Sequence, residues 1–146
     1  MQDRTLTFLL QAKKSTYAAG GSETNPSRPN SHDLRYDEGE YTYIDTYLGG
    51  KCFTGEEAVW SRNMPLWAMN YSGHVLDDRF DGDFLKRALL QVPPERPFRG
   101  PETYQEGSMR YVCNVNGDDH WFHGYEEILL GDERIYECFF HGGVVE

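Results

Sequence analysis

The sequence predicts an α+β fold of two pseudo-symmetric α-β-β-β halves, which form one largely antiparallel sheet with the helices packed on one face. Three observations lead there. Two stretches with apolar residues at helical spacing each precede a run of alternating strands. The motif F-x-G-x-E occurs at Phe53–Glu57 and again at Phe122–Glu126, and a glycine, Gly73 or Gly142, closes the third strand of each run. Sliding residues 41–75 against 110–144, an offset of 69, superposes both features without a gap. Self-similarity at a fixed spacing marks a repeated unit. The halves run from about 5 to 76 and from 81 to 145, within a single domain of 1–146 long enough for one core.

Taken in order, "TLTFLLQAKKSTYA" carries Leu6, Leu9, Leu10 and Tyr17 near helical spacing, with Asp3 or Thr5 available as a cap. "GGSETNPSRPNSHD" (20–33), rich in Gly, Ser, Pro and Asn, reads as a long loop. "EYTYIDTYLGG" alternates Tyr41, Tyr43 and Tyr47 against Thr42, Ile44 and Thr46, a strand ending at a Gly-Gly turn. "CFTGEEAVW" and "PLWAMNYSG" follow as strands joined by a polar turn around Arg62 and Asn63. In "FDGDFLKRALLQVPP", Asp81 or Asp83 caps a helix whose stripe is Phe84, Leu85, Ala88 and Leu89, and Pro93–Pro94 stop it. "PERPFRGPETYQEG" reads as irregular. "MRYVCNV", "WFHGYEEILL" and "RIYECFFHGG" complete the second run, with turns at "NGDD" and "GDE".

Bulk properties narrow the function classes. The 21 aromatic residues (8 Phe, 10 Tyr, 3 Trp) supply much of the apolar area of a chain whose hydrophobic content is only 38%. Net charge is −10, with 14 basic residues scattered among 24 acidic ones. Phosphate backbones are gripped by clustered Lys and Arg, so no direct nucleic-acid binding is expected. No apolar run approaches 18 residues and no secretory signal opens the chain, so no membrane span and a cytoplasmic location are expected. The three cysteines, Cys52, Cys113 and Cys138, form no C-x-x-C pair and read as reduced thiols.

The candidate chemistry centres on Glu57 and Glu126. Alternation along a strand places each on the face that also carries a Phe and a branched residue, Phe53 and Val59 or Phe122 and Ile128. A buried carboxylate needs a cation, a hydrogen-bond donor or a cationic ligand. An internal salt bridge or a wet sheet face meets that need as well as a ligand cleft does. In the cleft reading, Trp60, Trp67, Tyr43, Tyr71 and Trp121 supply ring faces for a small organic ligand of cationic or aromatic character. Arg28 and His32, in "SRPNSHD" beside Asp33, and Arg99 in "PFRGP" are further candidates on loops. His120 and His123 face opposite sides of a strand, so no metal site is expected, and no motif calls for a cofactor.

"TYA", "SRPNSHDL", "YTYIDTYLGG", "FTGEEAVW", "WAMNYSG", "DFLKRAL", "FRGP", "GYEEI" and "YECFFHGG" together resemble an uncharacterised prokaryotic domain family. Its members occur alone or behind an XRE-type helix-turn-helix domain, and the resemblance runs from about residue 6 to 144. It implies effector sensing. The architecture is also similar to gyrase-inhibitor-like effector-binding domains, where a cleft between halves holds an acidic residue among aromatics. The expected function is therefore a small-molecule, effector-type binding domain linked to transcriptional regulation. Two alternatives stand beside it: a small hydrolase or isomerase with a buried glutamate as general base, assisted by His32 or a tyrosine, and an interaction module that forms a homo-oligomer.

Overall fold

The computed structural model describes residue 1 and residues 3–146. Helix α1 (Asp3–Ser15) and a short 3-10 turn (Tyr17–Ala19) precede strands β1 (His32–Glu38), β2 (Tyr41–Gly49), β3 (Cys52–Ser61) and β4 (Met64–Val75). Helix α2 (Gly82–Leu89) then precedes β5 (Thr103–Glu106), β6 (Met109–Gly117), β7 (Trp121–Leu130) and β8 (Glu133–Val144). All eight strands form one sheet in the order β1-β2-β3-β4-β8-β7-β6-β5, and every neighbouring pair is antiparallel. An α+β fold is thus present.

Each helix is followed by four strands where the sequence reading expects three. The added strands, β1 and β5, are the two edges of the sheet. Edge strands need only one apolar face and are commonly polar or short. β1, "HDLRYDE", carries charge at most positions, and β5, "TYQE", has four residues, so both hide in segments that read as loops.

Local chemistry explains the remaining elements. Asp81 accepts a hydrogen bond from the Asp83 N–H at 2.9 Å and starts α2, whose Phe84, Leu85, Ala88 and Leu89 are buried. In α1, Phe8, Leu9, Ala12 and Lys13 form the buried stripe, so a lysine occupies an apolar face. Arg62 and Asn63, at φ 48° and 69°, turn β3 into β4 through a two-residue hairpin.

One sheet face meets both helices and holds the core. The F-x-G-x-E motif has a packing cause there. A Cβ on Gly55 would stand 2.5 Å from the Tyr71 hydroxyl, and one on Gly124 would stand 2.2 Å from the Phe140 ring. Gly55 is the register partner of Tyr71, and Gly124 of Phe140. Each glycine clears space for the ring beside it. The motif's Phe does the reverse: Phe53 lies over Gly73, and Phe122 over Gly142. Register shifts also fall at corresponding places, between Val59 and Trp60 and between Ile128 and Leu129. The opposite sheet face is open, with Trp121 79% and Phe139 61% exposed.

Candidate functional site

A cavity of about 350 Å³ lies between the helices and the covered face of the sheet. Rings wall it. Tyr43 and Tyr47 come from β2, Phe53 from β3, Tyr71 from β4 and Tyr136 from β8; Phe98 closes it from the loop after α2. His32, Gly49 and Gly50 stand where the cavity meets solvent. His32 stacks on Tyr47 with centroids 4.8 Å apart and lies 2.5 Å from the Glu23 carboxylate.

The polar end of the cavity is a buried charge cluster. Strand register brings Asp45 opposite Glu57 and Glu126 opposite Cys138 on the covered face. Lys13 of α1 reaches down to pair with Glu57 and donates a second hydrogen bond to the Phe98 carbonyl at 2.7 Å. That lysine therefore ties α1 to the loop following α2. Burial lowers its pKa, and the Glu57 charge opposes the shift.

Arg99 lies between the two glutamates. Its Nε and Nη2 fork onto Glu126 at 3.1 and 2.6 Å, Nη1 is 3.9 Å from Glu57, and its guanidinium sits 5.3 Å from the Tyr71 ring centroid. Burial disfavours its charge, yet the Glu126 carboxylate beside it holds its pKa above the ordinary arginine value. Tyr111 and Tyr136 donate to the same glutamate at 2.5 and 2.8 Å. Glu126 is 0% exposed and accepts four hydrogen bonds, so both of its oxygens are fully engaged.

Asp45 is different. Tyr71 donates to its Oδ1 at 2.5 Å, whereas Oδ2 makes no hydrogen bond to any described residue. The side chain is buried and lines the cavity. Desolvation, reinforced by the Glu57 charge, pushes its pKa up to about 7. The charges within the cluster point the same way. Three carboxyls (Asp45, Glu57, Glu126) face two cations (Lys13, Arg99), so one acid has no counter-charge.

The expected site residues fall into three places. Glu57, Tyr43, Tyr71, His32 and Arg99 line the cavity together. Glu126 and Trp67 are buried outside its lining: Glu126 under Arg99, and Trp67 stacked 6.5 Å from Phe98 and 5.8 Å from Phe122. The Trp67 Nε1 is buried without a hydrogen-bond partner among the described residues. Trp60 and Trp121 alternate onto the open face, where Trp60 opposes Thr42 and Trp121 opposes Gly143. Arg28 is exposed and donates to Thr46 at 3.0 Å, in a loop that Asp33 holds through Ser31 at 2.6 Å and Ser27 at 3.3 Å.

Two central residues escaped the sequence reading, and both left a trace. Asp45 stands between Tyr43 and Tyr47 at strand spacing, so it had to share their face. Lys13 follows Leu9 by one helical turn, on the apolar stripe. Cys113 and Cys138 are buried, and desolvation pushes both thiols up to about 12, so neither is a ready nucleophile. Among the described residues, no three His, Cys, Asp or Glu side chains group to hold a metal ion, and no helix is long and apolar enough to cross a membrane.

No curated protein and no solved structure matches the chain. The family DUF5680, a domain of unknown function, matches residues 45–145, which include β3, β4, α2 and the whole second set of strands. With well over half its length matched, the chain belongs to the DUF5680 family.

Proposed function

We propose that residues 1–146 act as one small-molecule binding domain of effector-sensing type, with the ring-walled cavity as its site. The observation that carries this reading is the cavity of about 350 Å³, closed by α1 and by the loop after α2, which brings in Arg99, over a sheet face that holds Asp45 and Glu57. That volume is at the small end of ordinary ligand sites, and the mix of apolar wall with a few convergent polar groups is typical of them. The corresponding registers of the two halves support descent from one repeated α/β unit, with the cleft formed where the copies meet. The resemblance to domains found behind XRE-type readers supports a regulatory setting.

Titrating isotope-labelled protein with fragment-sized aromatic compounds tests the reading by amide chemical shifts. The perturbed amides are expected to cluster at Lys13–Ala18, Tyr43–Tyr47, Tyr71 and Phe98–Arg99. Perturbations confined to the open face around Trp121 and Phe139 would reject the cavity as the site.

A second reading, proton-transfer catalysis, is favoured by one observation: Asp45 has a pKa of about 7 and a tyrosine hydroxyl 2.5 Å away. A base poised near neutrality suits that work. Glu57 suits it less, because its charge is engaged by Lys13. Turnover of an ester, epoxide or lactone panel that is lost in Asp45→Asn would select this reading over binding alone.

A further inference from the structure

We propose that the ligand is an organic ammonium ion, its nitrogen seated on the Asp45 carboxylate and its apolar body lying among the tyrosine and phenylalanine rings. The inference rests on the cavity being a ligand site, and it names the chemical class that fits there.

Charge balance is the first argument. With all groups ionised, Asp45, Glu57 and Glu126 exceed Lys13 and Arg99 by one negative charge, and all five side chains are buried. One added cation neutralises the cluster, whereas an added anion doubles its imbalance. The second argument is geometric. Asp45 lines the cavity and its Oδ2 makes no hydrogen bond to any described residue, so an acceptor stands ready for an N–H donor. The cations have prior commitments: Lys13 to Glu57 and the Phe98 carbonyl, Arg99 to both oxygens of Glu126. The walls supply the third argument, since ring faces attract cations and the cavity is built from Tyr43, Tyr47, Phe53, Tyr71 and Tyr136.

Binding is linked to pH. The titratable and charged groups that line the cavity with Asp45 are Lys13 on α1, Tyr17 in the 3-10 turn, His32 on β1, Tyr43 and Tyr47 on its own strand, Glu57 on β3, Tyr71 on β4, Tyr136 on β8 and Arg99 after α2. Burial raises the pKa of all five tyrosines, so they stay neutral at physiological pH. An arriving ammonium ion displaces a proton from Asp45. Affinity is therefore expected to fall about tenfold per pH unit once the pH drops below the Asp45 midpoint.

Calorimetry with three probes of one shape tests the class: tryptamine (cation), tryptophol (neutral) and indole-3-propionate (anion), each at about pH 6 and about pH 8. At the higher pH, tryptamine is expected to bind at least tenfold more tightly than tryptophol, with indole-3-propionate weakest. Its binding should release protons at the lower pH. In Asp45→Asn the preference for tryptamine over tryptophol should vanish while tryptophol still binds. Equal or tighter binding of tryptophol or indole-3-propionate by the unaltered protein would overturn the ammonium assignment and leave the cavity reading standing. Silence from all three probes would overturn both. The ligand ranking is read on the unaltered protein, so the test survives even if the variant misfolds.

Discussion

Glu126 accepts four hydrogen bonds and Asp45 accepts one, although both are buried carboxyls on the same face of one sheet. That difference separates a saturated acid from one with an oxygen to spare. Replacing Glu126 with Gln leaves Arg99 charged, desolvated and short of its partner, which is expected to cost about 3–5 kcal/mol in urea unfolding. Asp45→Asn removes the surplus acid, so its effect depends on pH. The folded-state pKa of Asp45 is about 7, above its ordinary value of 3.8. Between those values the folded protein holds a proton that the unfolded chain has released. The contribution of Asp45 to stability is therefore retained in acid and lost as pH rises through about 7. The full span corresponds to roughly 4 kcal/mol. The unaltered protein is expected to lose stability relative to Asp45→Asn between about pH 4 and pH 7. Parallel stability curves across that range would show Asp45 to be ordinary.

Elements acquire their shape here from paired rings and glycines. Gly124→Ala sets a methyl against the buried Phe140 ring, which is boxed in by neighbours, and is expected to cost about 1–3 kcal/mol by thermal or urea unfolding. A combined Gly124→Ala, Phe140→Leu protein should recover part of that loss, because the ring that needed the space is gone. The motif was legible because a glycine flanked by Phe and Glu is rare strand chemistry and occurred twice at one spacing. The helices were legible through the stripe of α2 and its Asp81 cap. β1 and β5 were not, because one-sided edges carry charge or end after four residues, and a polar edge has no periodicity to read. Glu57 and Arg99 could be named from sequence, but their partners could not. Lys13 and Glu57 lie 44 positions apart, and only the folded sheet brings them together.

Over the whole molecule, the two sets of elements share a register while their chemistry differs. Asp45 opposes Glu57 on β2 and β3, and Cys113 opposes Glu126 on β6 and β7, so the structure matches these first strands one residue short of the offset of 69 that the sequence suggests. Lys13 occupies the α1 position that corresponds to Leu89 in α2 at the helix offset of 76. One side is thus neutral and sealed around a saturated glutamate, and the other carries a lysine, a surplus carboxyl and an open volume. A net charge of −10 surrounds that volume and favours the approach of cations, so the association rate of tryptamine should fall as salt is added. The most direct test of the account follows the Asp45 side-chain carboxyl carbon by NMR as pH is raised, first alone and then with tryptamine bound. A midpoint near 7 that moves down by at least a unit on binding is expected. A midpoint in the ordinary carboxylate range below about 5, indifferent to the ligand, would contradict the claim that this cavity holds one acid in want of a cation.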